Sequence, residues 1–427
     1  MKDSDYIPRL MDSVLKENLE LYGAVSLEGC KWCGKSTTAR QVASSFIEMQ
    51  NPTTAENNKA IAKSDPGILL SGDKPRLIDE WQDTPAIWDA IRYDVDKTGL
   101  TGQYILTGSS TPKVSKPAHS GAGRIVRLIM RPMSLYESGE SNGAVSLKNL
   151  FHGNENIAGE AGLTPEDIAR LCTRGGWPAS VKRNPTNAGK LARDYLEIIL
   201  TNESMNDLDN DISFSTPKMR AVIRSLARNI ASPVTGQTII NDVIGTGETI
   251  SDKTLSSYLE TLARLHILDD VEPWSPQLRS KTTIRSGWKR NFTDPSLVVA
   301  ALLASENDLR LDYRTFGLVF ESMALRDLKI YAESLDGRLY YYRDKAGREC
   351  DAIIHLPDGK WGAIEIKLGS DETSISEGSR SLRRFVDSVD TEVMRQPSFL
   401  MILTATTNYA YRQDDGIYIV PIGCLKN

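Results

Sequence analysis

The chain has 427 residues, 51 basic and 56 acidic, for a formal net charge of −5, with 40% hydrophobic and 25% charged residues. That length holds several packed units rather than one core, and the composition excludes a disordered, fibrous or disulfide-framework polypeptide. Mild acidity also excludes nucleic-acid binding through overall charge alone, leaving local basic patches as the place to look.

The N-terminal Met-Lys-Asp-Ser-Asp-Tyr carries charge where a signal peptide needs an apolar stretch. The longest apolar run, Leu297 to Ala304, is far shorter than the roughly 20 residues of a bilayer span and reads as core. The expectation is a cytoplasmic protein without a membrane partner. Five scattered cysteines cannot all pair within one chain, which fits a reducing compartment.

Ala24 to Leu27 predicts a short buried strand, and Ala39, Val42, Ala43 and Phe46 follow at helical spacing. Between them Gly29-Cys30-Lys31-Trp32-Cys33-Gly34-Lys35-Ser36 fits G-x-x-x-x-G-K-[ST] at every position, with Thr37 next. At a strand-to-helix turn this pattern cradles phosphates: backbone N–H groups curl around the anion, Lys35 reaches its oxygens, and Ser36 supplies a hydroxyl to Mg²⁺. Cys30 and Cys33 also form a CxxC, open to reading as a thiol-redox pair or half a zinc site. No second CxxC and no nearby histidine pair completes a metal tetrahedron.

Pro75 to Glu80 predicts a buried strand ending in two carboxylates, Asp79 for the Mg²⁺ shell and Glu80 to polarise an attacking water. Gln103 to Ser109 is another β-rich run, from which either Thr107 or Ser109 would touch the terminal phosphate or the water. Leu163 to Asn202 is helical in pattern, and a helix around Val222 to Ile230 precedes a leucine-rich one starting at Ser251-Asp252-Lys253-Thr254. With the strand-like Ile267 to Val271 this suits a winged helix-turn-helix, the alternative being a plain helical bundle. From Pro273 to Thr293 there is no acidic residue, while Arg279, Lys281, Arg285, Lys289 and Arg290 supply five positive charges with Trp274 and Trp288 interleaved. Such a segment would neutralise DNA phosphates and offer a stacking surface. Cys350 to Leu356 and Trp361 to Leu368 predict a hairpin that places Glu365 and Lys367 on one face near Asp351.

The sequence resembles the AAA+ ATPases, in particular a bacterial and archaeal family in which such a core is fused to a C-terminal module. The resemblance covers nearly the whole chain. It rests on Tyr6-Ile7-Pro8-Arg9, EGCKWCGKST from Glu28, RLIDEWQD from Arg76, YILTGSS from Tyr104, RPMSLYESGE from Arg131 and RGGWP from Arg174. It implies ATP and Mg²⁺ as cofactors, Asp79 and Glu80 as the Walker B pair, Thr107 or Ser109 as sensor, and a ring or other oligomer. Arg124 would be the finger reaching a neighbouring subunit's nucleotide. One departure is the absence of an arginine after Gly176-Trp177-Pro178, where Ala179 stands; Arg174 is a substitute for the missing lid sensor.

The C-terminal hairpin resembles the PD-(D/E)XK nuclease motif, as Asp351 followed by Glu365-Ile366-Lys367, with Glu321 as an additional acid from the preceding helix. Asp351, Glu365 and Glu321 would then bind metal and Lys367 would orient a water. Glu349-Cys350 replaces the usual proline before the first acid. The expected organisation is α/β: a P-loop parallel-sheet core at 1–150, a helical lid at 151–205, a winged-helix-like connector at 206–275, and the basic loop plus a restriction-endonuclease-like α/β domain at 276–427. The expected function is ATP hydrolysis coupled to action on DNA, with or without Mg²⁺-dependent cleavage. The alternative is an ATP-dependent switch or remodeller of a protein partner with a non-catalytic nuclease-like domain.

Overall fold

The computed structural model describes residues 5–110, 121–154, 157–183, 187, 189–200, 214–276, 287–390 and 394–427. The chain divides into two compact units. The first comprises Met1–Pro132 with Thr261–Ile267, and the second Met133–Glu260 with Leu268–Asn427. Among the described residues no helix is long and apolar enough to cross a membrane.

The first unit is built on five parallel strands: β1 (Ala24–Glu28), β2 (Ser45–Glu48), β3 (Arg76–Asp79), β4 (Tyr104–Gly108) and β5 (Ile125–Ile129). Their spatial order is β2-β3-β4-β1-β5. β1 and β4 are buried throughout, as continuous apolar runs in a covered parallel sheet should be. Helices α1 (Met11–Leu21), α2 (Lys35–Val42) and α3 (Ala86–Thr98) belong to this unit. α1 buries Leu15 and Leu19 in a cluster with Val25, Leu77 and Ile105, and α3 buries Ile87, Ile91 and Val95 in a second one. The connection from β1 runs across the sheet to β2 while that from its neighbour β4 runs the other way to β5, and the crevice at the carboxyl ends of these two strands is the expected ligand position.

The second unit contains an eight-stranded mixed sheet in the order β7-β13-β14-β12-β11-β10-β9-β8 and a two-stranded pair of β6 (Val145–Ser146) with β15 (Leu425–Lys426). The large sheet comprises β7 (Gly159–Glu160), β8 (Glu272–Pro273), β9 (Arg338–Arg343), β10 (Glu349–His355), β11 (Trp361–Lys367), β12 (Phe399–Thr404), β13 (Tyr409–Arg412) and β14 (Tyr418–Pro421). At its heart β9, β10 and β11 run antiparallel and β12 joins β11 in parallel. The predicted hairpin is present, pairing Ala352 with Ile364.

Helices α4 (Pro165–Arg174), α5 (Pro178–Arg183) and α6 (Gly189–Leu200) occupy the stretch read as helical. They are followed by α7 (Thr216–Arg228), α8 (Gly236–Ile244) and α9 (Asp252–Arg264). Ile267 to Val271, read as strand-like, forms no strand: Leu268 and Val271 make only isolated bridges, to Phe292 and Lys289. The apolar run read as core is only partly so: Leu297 to Ala300 are buried in helix α10 (Pro295–Ala301), while Leu303 beyond its end is exposed. α11 (Tyr313–Glu333) precedes β9, and α12 (Glu372–Val386) lies between β11 and β12, where it buries Ile375, Leu382 and Phe385 in a cluster with Trp274 and Trp361. Trp274, read from sequence as a stacking surface for bases, is therefore core; its ring lies 4.9 Å from that of Trp361.

Candidate functional site

In the first unit the chain leaves β1 at Glu28, turns through Gly29 to Gly34 and enters α2 at Lys35. Two glycines make the turn possible. Gly29 has φ +153°, and a Cβ there would lie 2.1 Å from the Met130 carbonyl oxygen; Gly34, the residue before the helix, has φ +106°. No acidic residue of α2 itself stands in its first turn, so the helix adds no carboxylate of its own beside its N-terminal N–H groups.

Lys35 is buried, and its Nζ donates to the carbonyl oxygens of Gly29 at 2.9 Å and Cys30 at 2.8 Å. The ammonium is thus held inside the loop by acceptors that phosphate oxygens would replace. Cys30 and Cys33 are free thiols in the same turn, both buried, while Lys31 and Trp32 face solvent. Burial alone would raise the Cys33 thiol; a hydrogen bond from Cys30 and the charges of Lys35 and Arg9 outweigh it and bring it down to about 6.

The carboxylates follow from adjacent strands. Asp79 ends β3, next to β4, in register with Thr107. Its Oδ1 accepts from Ser36 Oγ at 2.6 Å and from the Thr107 hydroxyl. Glu80 comes next, in the left-handed region at φ 56°, ψ 48°, and its Oε2 accepts from Ser109 Oγ at 3.1 Å and from the Gln82 amide. The two candidate sensor residues are thus divided, Thr107 on the Asp79 carboxylate and Ser109 on that of Glu80. Ser36 and Asp79 present the hydroxyl and carboxylate oxygens that a nucleotide-bound Mg²⁺ takes, so this donor set fits that ion.

Arg124 precedes β5 on the exposed edge of the sheet; its side chain is 46% exposed and its Nε lies 2.6 Å from Asp96 of the same chain. Sequence reasoning gave no role to Arg9 or Gln82. Arg9 is buried, donating to the carbonyls of Cys33 (2.9 Å) and Arg131 (2.8 Å), and Tyr6 Oη bonds to Thr38 at 2.9 Å. The Tyr6-Ile7-Pro8-Arg9 string thereby braces the phosphate loop and the start of α2. Gln82 had only its spacing of two from Glu80 to mark it.

In the second unit Met133 to Glu140 meets RGGWP. Arg174 is buried and paired with Glu140, the Met133 N–H donates to the Gly176 carbonyl at 2.7 Å, and Asp294 accepts from the Gly176 N–H at 2.9 Å. A Cβ on Gly176 would lie 2.0 Å from the Met133 carbonyl oxygen. Arg174 is thus held by an internal ion pair in this structure.

The C-terminal acids do converge. Asp351, at an irregularity in the β10–β9 pairing, accepts from the Ile366 N–H at 2.9 Å through Oδ2. Glu365 on β11 is buried; its Oε1 accepts from Ser381 Oγ at 3.0 Å and its Oε2 lies 3.1 Å from Lys367 Nζ. Glu321 projects from α11 to Lys289 Nζ at 2.6 Å. Burial raises the Glu365 carboxyl well above its usual range, with the negative charge of Asp351 adding to the effect. Burial likewise raises Glu321, against the opposing pull of Lys289. Burial would lower Lys367, but Glu365 and Asp351 more than compensate and hold it above its ordinary value.

Two expectations about the basic segment change. Lys289 is 6% exposed and turned into the acid cluster, and Arg290 pairs with Asp270, so neither stands on a solvated phosphate-binding surface. Arg279, Lys281 and Arg285 lie outside the described residues; Trp288 is exposed. The acids expected to bind metal pair with Lys289 and Lys367 in this structure. Among the described residues no group of three or more His, Cys, Asp or Glu side chains is arranged to hold a metal ion.

Residues 22–139 match the model of an AAA domain. This part of the chain is an AAA-type P-loop ATPase domain. Residues 165–308 and 316–425 match two models described as domains of unknown function, DUF8612 and DUF4143. Uncharacterized proteins of Mycobacterium bovis and Mycobacterium tuberculosis are each 25% identical over 386 residues, covering 86% of this chain and 75% of the relative. Among solved structures, a Walker-type ATPase of Pyrococcus abyssi is similar with a TM-score of 0.44 at 15% identity, covering 70% of this chain and 97% of its own. A RuvB variant of Thermotoga maritima is similar with a TM-score of 0.28 at 16% identity, covering 61% and 86%.

Proposed function

We propose that the protein hydrolyses ATP in an oligomer and uses the cycle to act on DNA through a nuclease-like C-terminal domain. The observation that carries the ATPase half is the hydroxyl–carboxylate network at the carboxyl ends of β1, β3 and β4. Lys35 and the loop N–H groups would bind the β- and γ-phosphates, and Ser36 with Asp79 would hold Mg²⁺, which neutralises charge on the transferred phosphoryl group. Glu80 would orient and polarise the attacking water, with Ser109 and Gln82 fixing its carboxylate. Arg124, exposed at a sheet edge, would serve a neighbouring subunit's nucleotide on leaving Asp96.

The DNA half is supported by the succession α11-β9-β10-β11-α12-β12, with its antiparallel trio and one parallel addition, and by the gathering of Glu321, Asp351, Glu365 and Lys367 upon it. The three successive helices α7, α8 and α9 ahead of bridged segments support the winged-helix reading of the connector.

A second reading, a switch acting on a protein partner, is favoured by the commitment of Lys289 and Arg290 to internal ion pairs, which takes two charges from the basic segment. Steady-state ATP turnover with and without duplex and single-stranded DNA separates the two. DNA stimulation that falls when Arg279, Lys281 and Arg285 are neutralised together supports action on DNA; turnover indifferent to every DNA form supports the protein-partner switch.

A further inference from the structure

The acid cluster of the second unit contains its own cations. Lys289 Nζ lies 2.6 Å from Glu321 Oε1, 3.3 Å from the Asp351 carbonyl oxygen and 3.8 Å from Asp351 Oδ1, with the Tyr341 ring centroid at 5.5 Å. One ammonium therefore bridges an acid from α11 and the acid from β10, the two side chains that a bound cation would draw together. The remaining oxygens of β10 and β11 are also engaged: Asp351 Oδ2 by the Ile366 N–H, and Glu365 by Ser381 and Lys367. Three carboxylates face two ammonium groups.

Lys289 is not on a tether that swings freely. Its N–H donates to the Val271 carbonyl at 3.0 Å and its carbonyl accepts from the Val271 N–H at 2.9 Å, so the backbone is pinned on both sides of the residue. A divalent cation placed between Glu321 and Asp351 would stand against this ammonium and would have to expel it from a buried position, at the loss of its ion pairs with both acids.

We propose that Lys289 is the resident counter-cation of the cluster, occupying by covalent attachment the place that Mg²⁺ takes in a metal-dependent phosphodiesterase, so that the wild-type domain carries this site closed to divalent metal. The inference rests on the nuclease-like reading of the acid cluster. It gives the C-terminal domain a binding rather than a cleaving role and assigns the closure to one side chain.

The test is Mn²⁺ titration of the full chain without nucleotide, followed by electron paramagnetic resonance or calorimetry. Wild type, D351N, K289Q, K289M and the double variant K289Q/D351N are compared, with thermal unfolding as the check on folding. K289Q removes the charge and keeps a polar donor, one bond shorter than the ammonium, so it serves where K289M fails to fold. Wild type should show no Mn²⁺ site that depends on Asp351. K289Q should gain one, tighter by about tenfold or more on removal of a like charge within contact distance, and K289Q/D351N should lose it. A wild-type site abolished by D351N alone would overturn the proposal while upholding the nuclease-like reading. A folded K289Q with no gained site would overturn both.

Discussion

Replacing Glu80 by Gln tests the chemistry of the ATPase site most directly. Glu80 Oε2 receives hydrogen bonds from Ser109 and Gln82, and a glutamine side chain retains one oxygen able to accept both. The backbone at this position sits at φ 56°, ψ 48°, which glutamine tolerates as well or as poorly as glutamate, so the substitution adds no strain. Lost hydrogen bonding is therefore confined to about 1 kcal/mol of stability, and the change acts on charge. Without the carboxylate the attacking water loses its polarising group, a contribution of about 10²- to 10⁴-fold, or about 3–5 kcal/mol of barrier. Lys35, Ser36 and the loop N–H groups are untouched, so nucleotide affinity should stay near that of wild type. The assay is single-turnover ATP hydrolysis beside equilibrium binding of a fluorescent ATP analogue. An E80Q enzyme that keeps more than about a tenth of wild-type turnover would remove Glu80 from the role of water-orienting base.

Other expectations follow from the same geometry. R124A should lower turnover by about 10³- to 10⁵-fold while sparing nucleotide binding, and mixing it with a K35A chain should restore part of the activity if the arginine acts in trans; no rescue in verified mixed assemblies would exclude that arrangement. Arg326 is 1% exposed and lies 2.9 Å from Asp294 and 2.7 Å from Asp327, so R326A strands two buried carboxylates and should cost about 3–5 kcal/mol in a urea unfolding experiment. A loss no greater than that of an exposed arginine such as Arg220 would refute the importance of the triad. Half-burial lowers His355 below its ordinary value, and its Nδ1 is within 3.5 Å of Trp274 Nε1. The unfolded chain then binds more protons between the folded pKa and 6.5, so stability rises with pH across that window and is lost on acidification. H355Q should flatten that part of the stability profile; an unchanged slope would place its origin elsewhere.

What was legible in the sequence was local. The phosphate loop needs a strand, a glycine-permitted turn and a helix start within about twenty consecutive residues, and each leaves its mark in spacing and residue type. The strand ending in Asp79-Glu80 and the Asp351 to Lys367 hairpin were readable for the same reason, since alternation and a turn fix which side chains share a face. The partners of those residues were not readable. Arg9 and Gln82 looked like ordinary polar residues until the fold set one beneath the phosphate loop and the other against Glu80.

The basic segment shows the limit most sharply. A run of positive charges has the same sequence whether it is solvated or folded inward. Burial depends on acids that arrive from elsewhere, and Lys289 meets Glu321 from 32 positions along the chain and Asp351 from 62. Trp274 likewise reads as a base-stacking ring beside arginines until β8 pairs with β9 and the indole enters the core with Trp361 and Phe385. The sequence by itself determined a glycine-permitted strand-to-helix turn at Gly29 to Ser36 and that acids would gather on the C-terminal hairpin. Only tertiary structure decided that those acids already hold a lysine, because a charge is paired by whatever the fold brings within a few ångströms of it.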